Sequence, residues 1–283
     1  MTSLTKIGIT GGKGGTGKST VAILLAQELT RKGKKVVLGD CDIECPNDYL
    51  LLGKELKNQK EKVWREFPEI NKEKCTKCGT CVEACHENAI FQAPGEYPVI
   101  NKDLCTGCGA CWQVCPEGAI TKQEQEVGQI YVNEIDNNLT LITGKAETKV
   151  EETGPIVHDV REFCINYAQK ENADILIVDT AAGTHCPVIN ALYGLDKAYA
   201  VAEPTPMGAY DLELILNLCD KLELPVDVIL NQADLGEERL IEEIIKKRNI
   251  EIKLKIPYSE SLAESYSKGQ LLDFNFKNYN ESV

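Results

Sequence analysis

A glycine-rich loop near the start of the chain constrains the fold most strongly. Residues 4–10 (LTKIGIT) are mostly apolar and predict a short buried strand. Residues 21–33 (VAILLAQELTRKG) have the apolar spacing of a helix. The loop between them, residues 11–20 (GGKGGTGKST), matches the pattern G-x-x-x-x-G-K-S. A strand, this loop and a helix in that order predict a phosphate-binding loop that opens a parallel α/β sheet.

The residue types of this loop suit phosphate binding. Glycines let several backbone N–H groups converge on phosphate oxygens, and the N-terminus of the following helix adds a favourable dipole. We expect Lys18 to reach the β- and γ-phosphates and Ser19 to bind Mg²⁺ through its hydroxyl. The predicted nucleotide-binding residues of the loop are Gly12, Gly14, Gly15, Thr16, Gly17, Lys18, Ser19 and Thr20.

Strand and helix patterns alternate along the rest of the chain. This alternation predicts an α/β fold, a P-loop parallel sheet with helices on both faces. Residues 127–146 alternate like a strand pair with a turn near Asn137, residues 46–66 are predicted to be partly helical, and the tail at 274–283 to be loosely ordered. Further strands are predicted at 35–40, 173–179, 198–203, 226–232 and 250–257, and helices at 155–171, 208–222, 236–248 and 259–267.

Two cysteine runs with one spacing, C-x-x-C-x-x-C-x-x-x-C, lie in the middle of the chain. Their sequences, CTKCGTCVEACHENAI and CTGCGACWQVCPEGAI, are an internal repeat. The spacing is the ligand pattern of a bacterial-type ferredoxin with two [4Fe–4S] clusters, in which the fourth cysteine of each run binds the other cluster. The predicted ligands are Cys75, Cys78, Cys81 and Cys115 for the first cluster and Cys105, Cys108, Cys111 and Cys85 for the second.

Structural zinc and disulfides are the alternatives for these cysteines. Zinc favours two CxxC pairs with a longer spacer, and disulfides belong mostly to secreted chains. We therefore predict a P-loop domain at 1–66 and 123–283, interrupted by an inserted small α+β bacterial-type ferredoxin domain at 67–122.

The overall charge narrows the choice of partners. The net charge is −13 with a pI near 4.9, which disfavours nucleic acid. No apolar run approaches the length of a membrane span, and the chain enters a strand almost at once, so no targeting segment is visible. We expect a cytoplasmic protein without nucleic-acid or membrane partners.

Lys13 extends the glycine-rich loop to KGGTGKS. The sequence resembles the deviant-Walker ATPases, the superfamily of MinD, Mrp, ParA and the nitrogenase iron protein. More narrowly, it is similar to MinD-like ATPases with an inserted ferredoxin domain, over nearly the whole chain. The resemblance implies that Lys13 reaches the ATP of a partner subunit, and hence an ATP-sandwiched homodimer or a pair with a related paralogue.

The resemblance also assigns roles to residues outside the loop. It implies that Asp42 orients the attacking water or lies near Mg²⁺, that Asp179 holds Mg²⁺, and that Gly183 senses the γ-phosphate. Asn231 is similar to the residue that recognises adenine. Asp234 is similar to a guanine-reading residue, but the lysine that accompanies it in GTPases is absent, which favours ATP or ADP. The catalytic residues so implied are Lys13, Lys18 and Asp42, and the Mg²⁺ ligands are Ser19, Asp42 and Asp179.

Five cysteines lie outside the runs. Cys164 and Cys219 have the spacing of core residues. Cys186 lies seven residues after Asp179, a spacing similar to that of the bridging-cluster ligand in the nitrogenase iron protein, so a third cluster is a further hypothesis. We expect Cys41 and Cys45 to serve packing. The segments around Asp42 and Gly183 are similar to the two switch loops of the superfamily, and thiols beside them could be redox-sensitive.

Three functions compete. The first is an ATPase that couples nucleotide-driven changes to electron transfer through two [4Fe–4S] clusters to a redox partner protein. The second is an iron–sulfur or metal-cofactor assembly ATPase, and the third is a positioning ATPase. The tail NFKNYNESV has no basic amphipathic pattern of the kind that MinD-like membrane binding needs.

Overall fold

The computed structural model describes residues 4–148, 150 and 152–274, and these fall into two compact units. Unit 1 comprises the described residues within 1–61, 130–145 and 153–283. Unit 2 comprises the described residues within 62–129 and 146–152. The insertion predicted at 67–122 lies inside unit 2, which extends further at both ends and includes a second segment.

The order of elements follows the predicted alternation in unit 1. The strands are β1 (Thr5–Thr10), β2 (Val36–Asp40), β3 (Gln59–Ile70), β4 (Ile90–Phe91), β5 (Val99–Ile100), β6 (Ile120–Glu134), β7 (Leu139–Ala146), β8 (Ile175–Asp179), β9 (Lys197–Ala202), β10 (Val226–Asn231) and β11 (Ile252–Ile256). The helices are α1 (Lys18–Arg31), α2 (Asp48–Leu51), α3 (Thr80–Glu83), α4 (Ala110–Val114), α5 (Gly154–Lys170), α6 (Cys186–Leu192), α7 (Pro206–Lys221), α8 (Glu238–Lys246) and α9 (Glu260–Ser267).

Nine strands form one sheet in the order β11-β10-β9-β1-β8-β2-β7-β6-β3. The pairs from β11 to β7 are parallel. The parallel strands are buried because apolar residues continue along them, as in the run Ile175–Asp179, and helices cover such strands on both faces. The predicted α/β class with a mostly parallel sheet is confirmed.

The strand register places acidic side chains at one edge of this sheet. Asp40 ends β2 and lies beside Asp179, which ends β8. Asp179 also pairs with Ile9 of β1, so the loop that follows β1 begins at the same edge. Ligands of open α/β sheets bind at the carboxyl ends of the strands, which makes this edge the place to look for a site.

Some elements differ from their predictions. Residues 46–66 contain only the short helix α2 before β3 begins. Strand β3 was not predicted because half of its residues are charged and most are exposed. The strand pair predicted at 127–146 is present as the end of β6 and all of β7, with a turn that includes Asn137. The tail prediction lies almost wholly outside the described residues. Among described residues, no helix has the length and apolarity needed to cross a bilayer.

Unit 2 repeats one small motif twice. Each cysteine run leads through a glycine at positive φ, Gly79 or Gly109, into a short helix, α3 or α4. Strands β4 and β5 pair antiparallel, with Ile90 opposite Ile100. One hydrophobic cluster of this unit consists of the buried residues Cys81, Ile90, Cys111 and Ile120.

Candidate functional site: a phosphate-loop cleft and two cysteine sets

The glycine-rich loop borders an open cleft in unit 1. Its residues 14, 15 and 17–20 line a space of about 440 Å³ together with Asp42, Asn47 and Ala182. The opposite wall is formed by residues at the end of β10, the segment after β11 and helix α9. A cleft of this size is large enough for a nucleotide-sized ligand.

Lys18 is the buried cation of the cleft. Its ammonium donates to the carbonyl oxygen of Lys13 at 3.1 Å, and its side chain is largely buried. Burial lowers the pKa of Lys18, while the charges of Asp179 and Asp42 act in the opposite direction. Polyphosphate oxygens entering the cleft would meet a cation that water screens little.

Ser19 and Asp179 form a pair of oxygen ligands beside Lys18. The Ser19 hydroxyl donates to Asp179 Oδ2 at 2.6 Å. Asp179 Oδ1 is buried and has no hydrogen-bond partner among the described residues. Burial raises the pKa of Asp179 to about 7 against the hydrogen bond from Ser19 and the charge of Lys18. Hard oxygen donors with spare acceptor capacity fit Mg²⁺.

Asp40 organises the loop that carries Asp42. Its carboxylate accepts from the backbone N–H groups of Asp42 at 3.2 Å, Asn47 at 3.1 Å and Asp48 at 3.2 Å. Three such bonds fix the backbone from 42 to 48 and hold Asp42 at the cleft. The sequence motif Asp40-x-Asp42 predicted the second acid, and the structure gives the first a positioning role.

Asp48 is an acid that the sequence analysis missed. It is completely buried at the start of α2, and neither carboxylate oxygen has a hydrogen-bond partner among the described residues. Carboxylate oxygens of Asp40, Asp48 and Asp179 all lie within 4.8 Å of one another. Burial, followed by the charges of Asp40 and Asp179, raises the pKa of Asp48 well above its usual range.

We expect the nucleotide-free protein to lose stability as the pH rises from about 4 to about 7. Burial raises the pKa of Asp40, Asp48 and Asp179, that of Asp179 to about 7, so these carboxyls keep their protons in the folded chain. In the unfolded chain they lose their protons near pH 4. The folded state binds more protons in that window, so the unfolding free energy falls with rising pH. Asp48→Asn should flatten this slope and stabilise the protein at pH 8 by about 1–3 kcal/mol.

Urea unfolding in EDTA at pH 5, 6.5 and 8 measures this effect. The exposed Glu213, changed to Gln, removes one acid of α7 outside the cluster and serves as the control. Equal slopes for Asp48→Asn and the wild type would contradict the expectation.

Lys13 makes an ion pair within its own chain. Its ammonium lies 2.9 Å from Glu203 Oε2, and the Glu203 side chain is mostly buried. The segment that contains Glu203, residues 203–206 (EPTP), could shape a base pocket or form a rigid loop. These residues are absent from the described lining of the cleft, and Thr205 caps α7 by accepting from the Gly208 N–H at 3.0 Å. The contacts favour the rigid loop.

Asn231 contacts the phosphate loop. Its amide Nδ2 donates to the carbonyl of Thr16 at 2.9 Å and lies directly against Gly17, whose positive φ and lack of Cβ leave room for it. Asn231 also lines the cleft, so its other amide face is available to a ligand. Gly183 reaches the loop as well, because its N–H donates to the Gly11 carbonyl at 3.1 Å.

Aromatic side chains line the far end of the cleft. Tyr258 and Tyr266 are half-exposed and flank Leu262 of α9. Asp234 Oδ1 accepts from the Tyr258 N–H at 2.6 Å, which commits this carboxylate to the protein backbone. The two tyrosines were missed because they follow no motif in the sequence.

In unit 2, cysteines from both runs meet at one cavity. Cys75, Cys78 and Cys81 line it together with Cys115 of the second run. The pKa of the Cys81 thiol is raised by burial and then by the nearby Cys75, Cys78 and Cys115. The structure therefore brings together the four residues predicted for the first cluster.

The thiols of the second set are close enough to influence one another's pKa. Burial raises the pKa of Cys105, and the charges of Cys108 and Cys85 add to it. Burial raises that of Cys111 to about 11, with contributions from Cys105 and Cys108. The fourth thiols accept equivalent backbone bonds, from Ala89 N–H to Cys85 at 3.2 Å and from Ala119 N–H to Cys115 at 3.3 Å.

Among the described residues, no three cysteine thiols all lie within 4.8 Å of one another, which is a wider spacing than a single tetrahedral zinc ion needs. Tetrahedral zinc with four Zn–S bonds holds its sulfurs about 3.8 Å apart. Among the described residues, the one group of at least three metal-type side chains within 4.8 Å is the aspartate cluster, not a cysteine set. The cysteines are all free thiols in this structure.

The remaining cysteines divide by exposure. Cys41, Cys164 and Cys219 are buried, in agreement with a packing role, whereas Cys45 and Cys186 are exposed. The packing role expected for Cys45 does not agree with its exposure, and the third-cluster hypothesis for the exposed Cys186 stays a prediction.

The comparisons with known proteins agree with this geometry. A family model described as the CobQ/CobB/MinD/ParA nucleotide binding domain matches residues 7–272. An uncharacterized protein of Methanocaldococcus jannaschii is 34% identical over 285 residues, with coverage of 100% of this chain and 97% of that protein. An iron-sulfur cluster carrier protein of Rickettsia bellii is 24% identical over 278 residues, with coverage of 96% and 68%.

Solved structures show the same fold. The cell division ATPase MinD of Pyrococcus furiosus superposes with a TM-score of 0.57 at 18% identity and covers 99% of this chain and 93% of its own. The cleft, the loop and the fold together define a P-loop nucleotide-binding protein. The chain belongs to the CobQ/CobB/MinD/ParA nucleotide-binding family.

Proposed function

We propose that this protein is an Mg²⁺-dependent ATPase that carries two [4Fe–4S] clusters in unit 2 and couples its nucleotide state to electron transfer. The main observation behind this proposal is that Cys75, Cys78 and Cys81 line one cavity together with Cys115, which belongs to the other run. The inserted-ferredoxin assignment of unit 2 rests on this grouping and on the repeat, and a cytoplasmic location is part of the proposal.

The residues of the cleft have separate roles in this proposal. Lys18 neutralises phosphate charge, Ser19 and Asp179 hold Mg²⁺, and Asp42 orients the attacking water. Phosphoryl transfer needs chiefly positioning and charge stabilisation, which these groups supply. The clusters supply one-electron chemistry when bound, and the eight cysteines hold them.

Dimer formation requires a change at Lys13. To reach the phosphates of a partner subunit, its ammonium must leave Glu203, to which it is paired at 2.9 Å. A γ-phosphate carries more negative charge than one carboxylate, so ATP competes better than ADP for this lysine. We propose an ATP-sandwiched homodimer, or a pair with a related paralogue, on this basis.

Spectroelectrochemistry of anaerobically purified protein tests the coupling. We expect about eight iron atoms per chain and a change in cluster reduction potential between the nucleotide-free protein, the ADP complex and the complex with a non-hydrolysable ATP analogue. Lys18→Met should lose the nucleotide-dependent change and keep the iron. Identical potentials and identical electron delivery in all nucleotide states would contradict the coupling.

An iron–sulfur carrier role is the second candidate, favoured by the relative named as an iron-sulfur cluster carrier protein. Transfer of iron and sulfide to an apo-protein upon ATP hydrolysis would support it. Retention of all iron through many turnovers would favour electron transfer instead.

A further inference from the structure

Hydrogen bonds to the first cysteine set differ from those to the second. The Thr80 hydroxyl lies 3.4 Å from the sulfur of Cys78, within hydrogen-bond distance for sulfur. The residue at the same place of the second run is Ala110, two residues after Cys108. Alanine has no hydroxyl, so Cys108 cannot receive this bond.

Three other features of the two sets are alike. Thr76 and Thr106 occupy the same place in the two runs. Gly79 and Gly109 adopt φ of 82° and 85°. The backbone bonds to Cys85 and Cys115 differ by only 0.1 Å, at 3.2 and 3.3 Å.

We infer that the cluster bound by Cys75, Cys78, Cys81 and Cys115 has the higher reduction potential and that Thr80 sets this difference. The inference rests on the proposed function. A hydroxyl that donates to a ligand thiolate stabilises the more negative, reduced form of the cluster. Thr80 is thus a tuning residue, which touches a ligand and not the iron.

The inference gives electron flow a direction within unit 2. An electron entering at the cluster of lower potential, bound by Cys105, Cys108, Cys111 and Cys85, passes downhill to the other. The cluster bound by Cys105, Cys108, Cys111 and Cys85 loses the electron, and the cluster bound by Cys75, Cys78, Cys81 and Cys115 gains it, so charge balances without a further reactant. The acceptor protein should therefore dock near Cys78 and the donor near Cys108.

Charged side chains also differ between the runs, in both directions. At equivalent positions of the sequence repeat, the first run has Lys74, Lys77, Glu83 and His86 where the second has Leu104, Gly107, Gln113 and Pro116. Outside the runs, Arg65 is equivalent to Gly95, and Lys122 is equivalent to Gln92. Lys122 is paired with Glu66 at 2.7 Å. Salt screens accessible charges, whereas it leaves a hydrogen bond to sulfur in place, so ionic strength separates the two causes.

EPR-monitored redox titration of the full chain at pH 8, in low and high salt, tests the inference. Thr80→Val keeps the side-chain shape and removes the hydroxyl. It should lower the midpoint potential of the cluster bound by Cys75, Cys78, Cys81 and Cys115. The equilibrium constant for its reduction should fall several-fold, and a tenfold fall corresponds to about 59 mV. Thr80→Ser should restore the midpoint. Ala110→Ser should raise the other midpoint, which keeps the test valid if Thr80→Val fails to load iron.

The outcomes distinguish this inference from the proposed function. Two [4Fe–4S] signals whose midpoints do not respond selectively to Thr80→Val and Ala110→Ser would overturn the inference alone. A difference that disappears in high salt would assign it to charges and also overturn the role of Thr80. Absence of [4Fe–4S] signals from the iron-loaded wild type would overturn the proposed function itself.

Discussion

Replacing Lys18 with methionine should weaken ATP binding about 10- to 100-fold and abolish hydrolysis. The ammonium is buried in the cleft beside Asp179 and Asp42, so its charge-assisted bonds to phosphate should each stabilise the complex by about 1.5–3 kcal/mol. Methionine has a similar length and no charge, and it leaves two acids facing the phosphates.

Calorimetric titration with ATP and phosphate-release assays measure this loss. Lys34→Met removes an exposed lysine after α1 and should bind ATP like the wild type. A Lys18→Met protein with unchanged affinity would show that the cleft is not the nucleotide site.

Replacing Cys115 with alanine should remove the first cluster, although Cys115 belongs to the second run. Iron should fall from about eight to about four atoms per chain, because a [4Fe–4S] cluster needs its fourth thiolate. The structure groups Cys115 with Cys75, Cys78 and Cys81 around one cavity. Cys85→Ala should have the reciprocal effect on the second cluster.

In crossed ligation the fourth cysteine of each run binds the cluster of the other run, and in uncrossed ligation it binds the cluster of its own run. Adding Thr80→Val to the Cys115→Ala protein separates the two arrangements. If ligation is crossed, the cluster that survives Cys115→Ala does not respond to Thr80→Val. If Cys115 serves its own run, the surviving cluster does respond. Cys45→Ser, at an exposed cysteine of unit 1, should leave the iron content unchanged and controls for loss of a thiol.

Local motifs predicted the parts of the site that are contiguous in sequence. The glycine-rich loop, the strand ending at Asp179 and the position of Asn231 each have a pattern within ten residues. The glycine-rich loop follows β1, Asp179 ends β8 and Asn231 ends β10, as these patterns predicted. The spacing of the cysteine runs predicted that three cysteines of one run lie together, and Cys75, Cys78 and Cys81 do line one cavity.

Contacts between distant parts of the chain were not predictable in this manner. Glu203 meets Lys13 only because β9 lies beside β1, and Asp48 joins Asp179 only because β2 lies beside β8. Neither contact leaves a periodic or spaced signal. Strand β3 was missed because charged residues on an exposed strand resemble a polar loop.

The composition of the small hydrophobic cluster in unit 2 makes the folding of this unit sensitive to oxygen. Two of the four buried residues of this hydrophobic cluster, Cys81 and Cys111, are proposed iron ligands. Loss of the iron–sulfur clusters therefore removes the centre around which this unit packs. Oxidative loss of the iron–sulfur clusters should then be detectable by limited proteolysis followed by gel electrophoresis. Limited trypsin digestion of aerated protein would cut between residues 62 and 129, while the nucleotide-binding part resists.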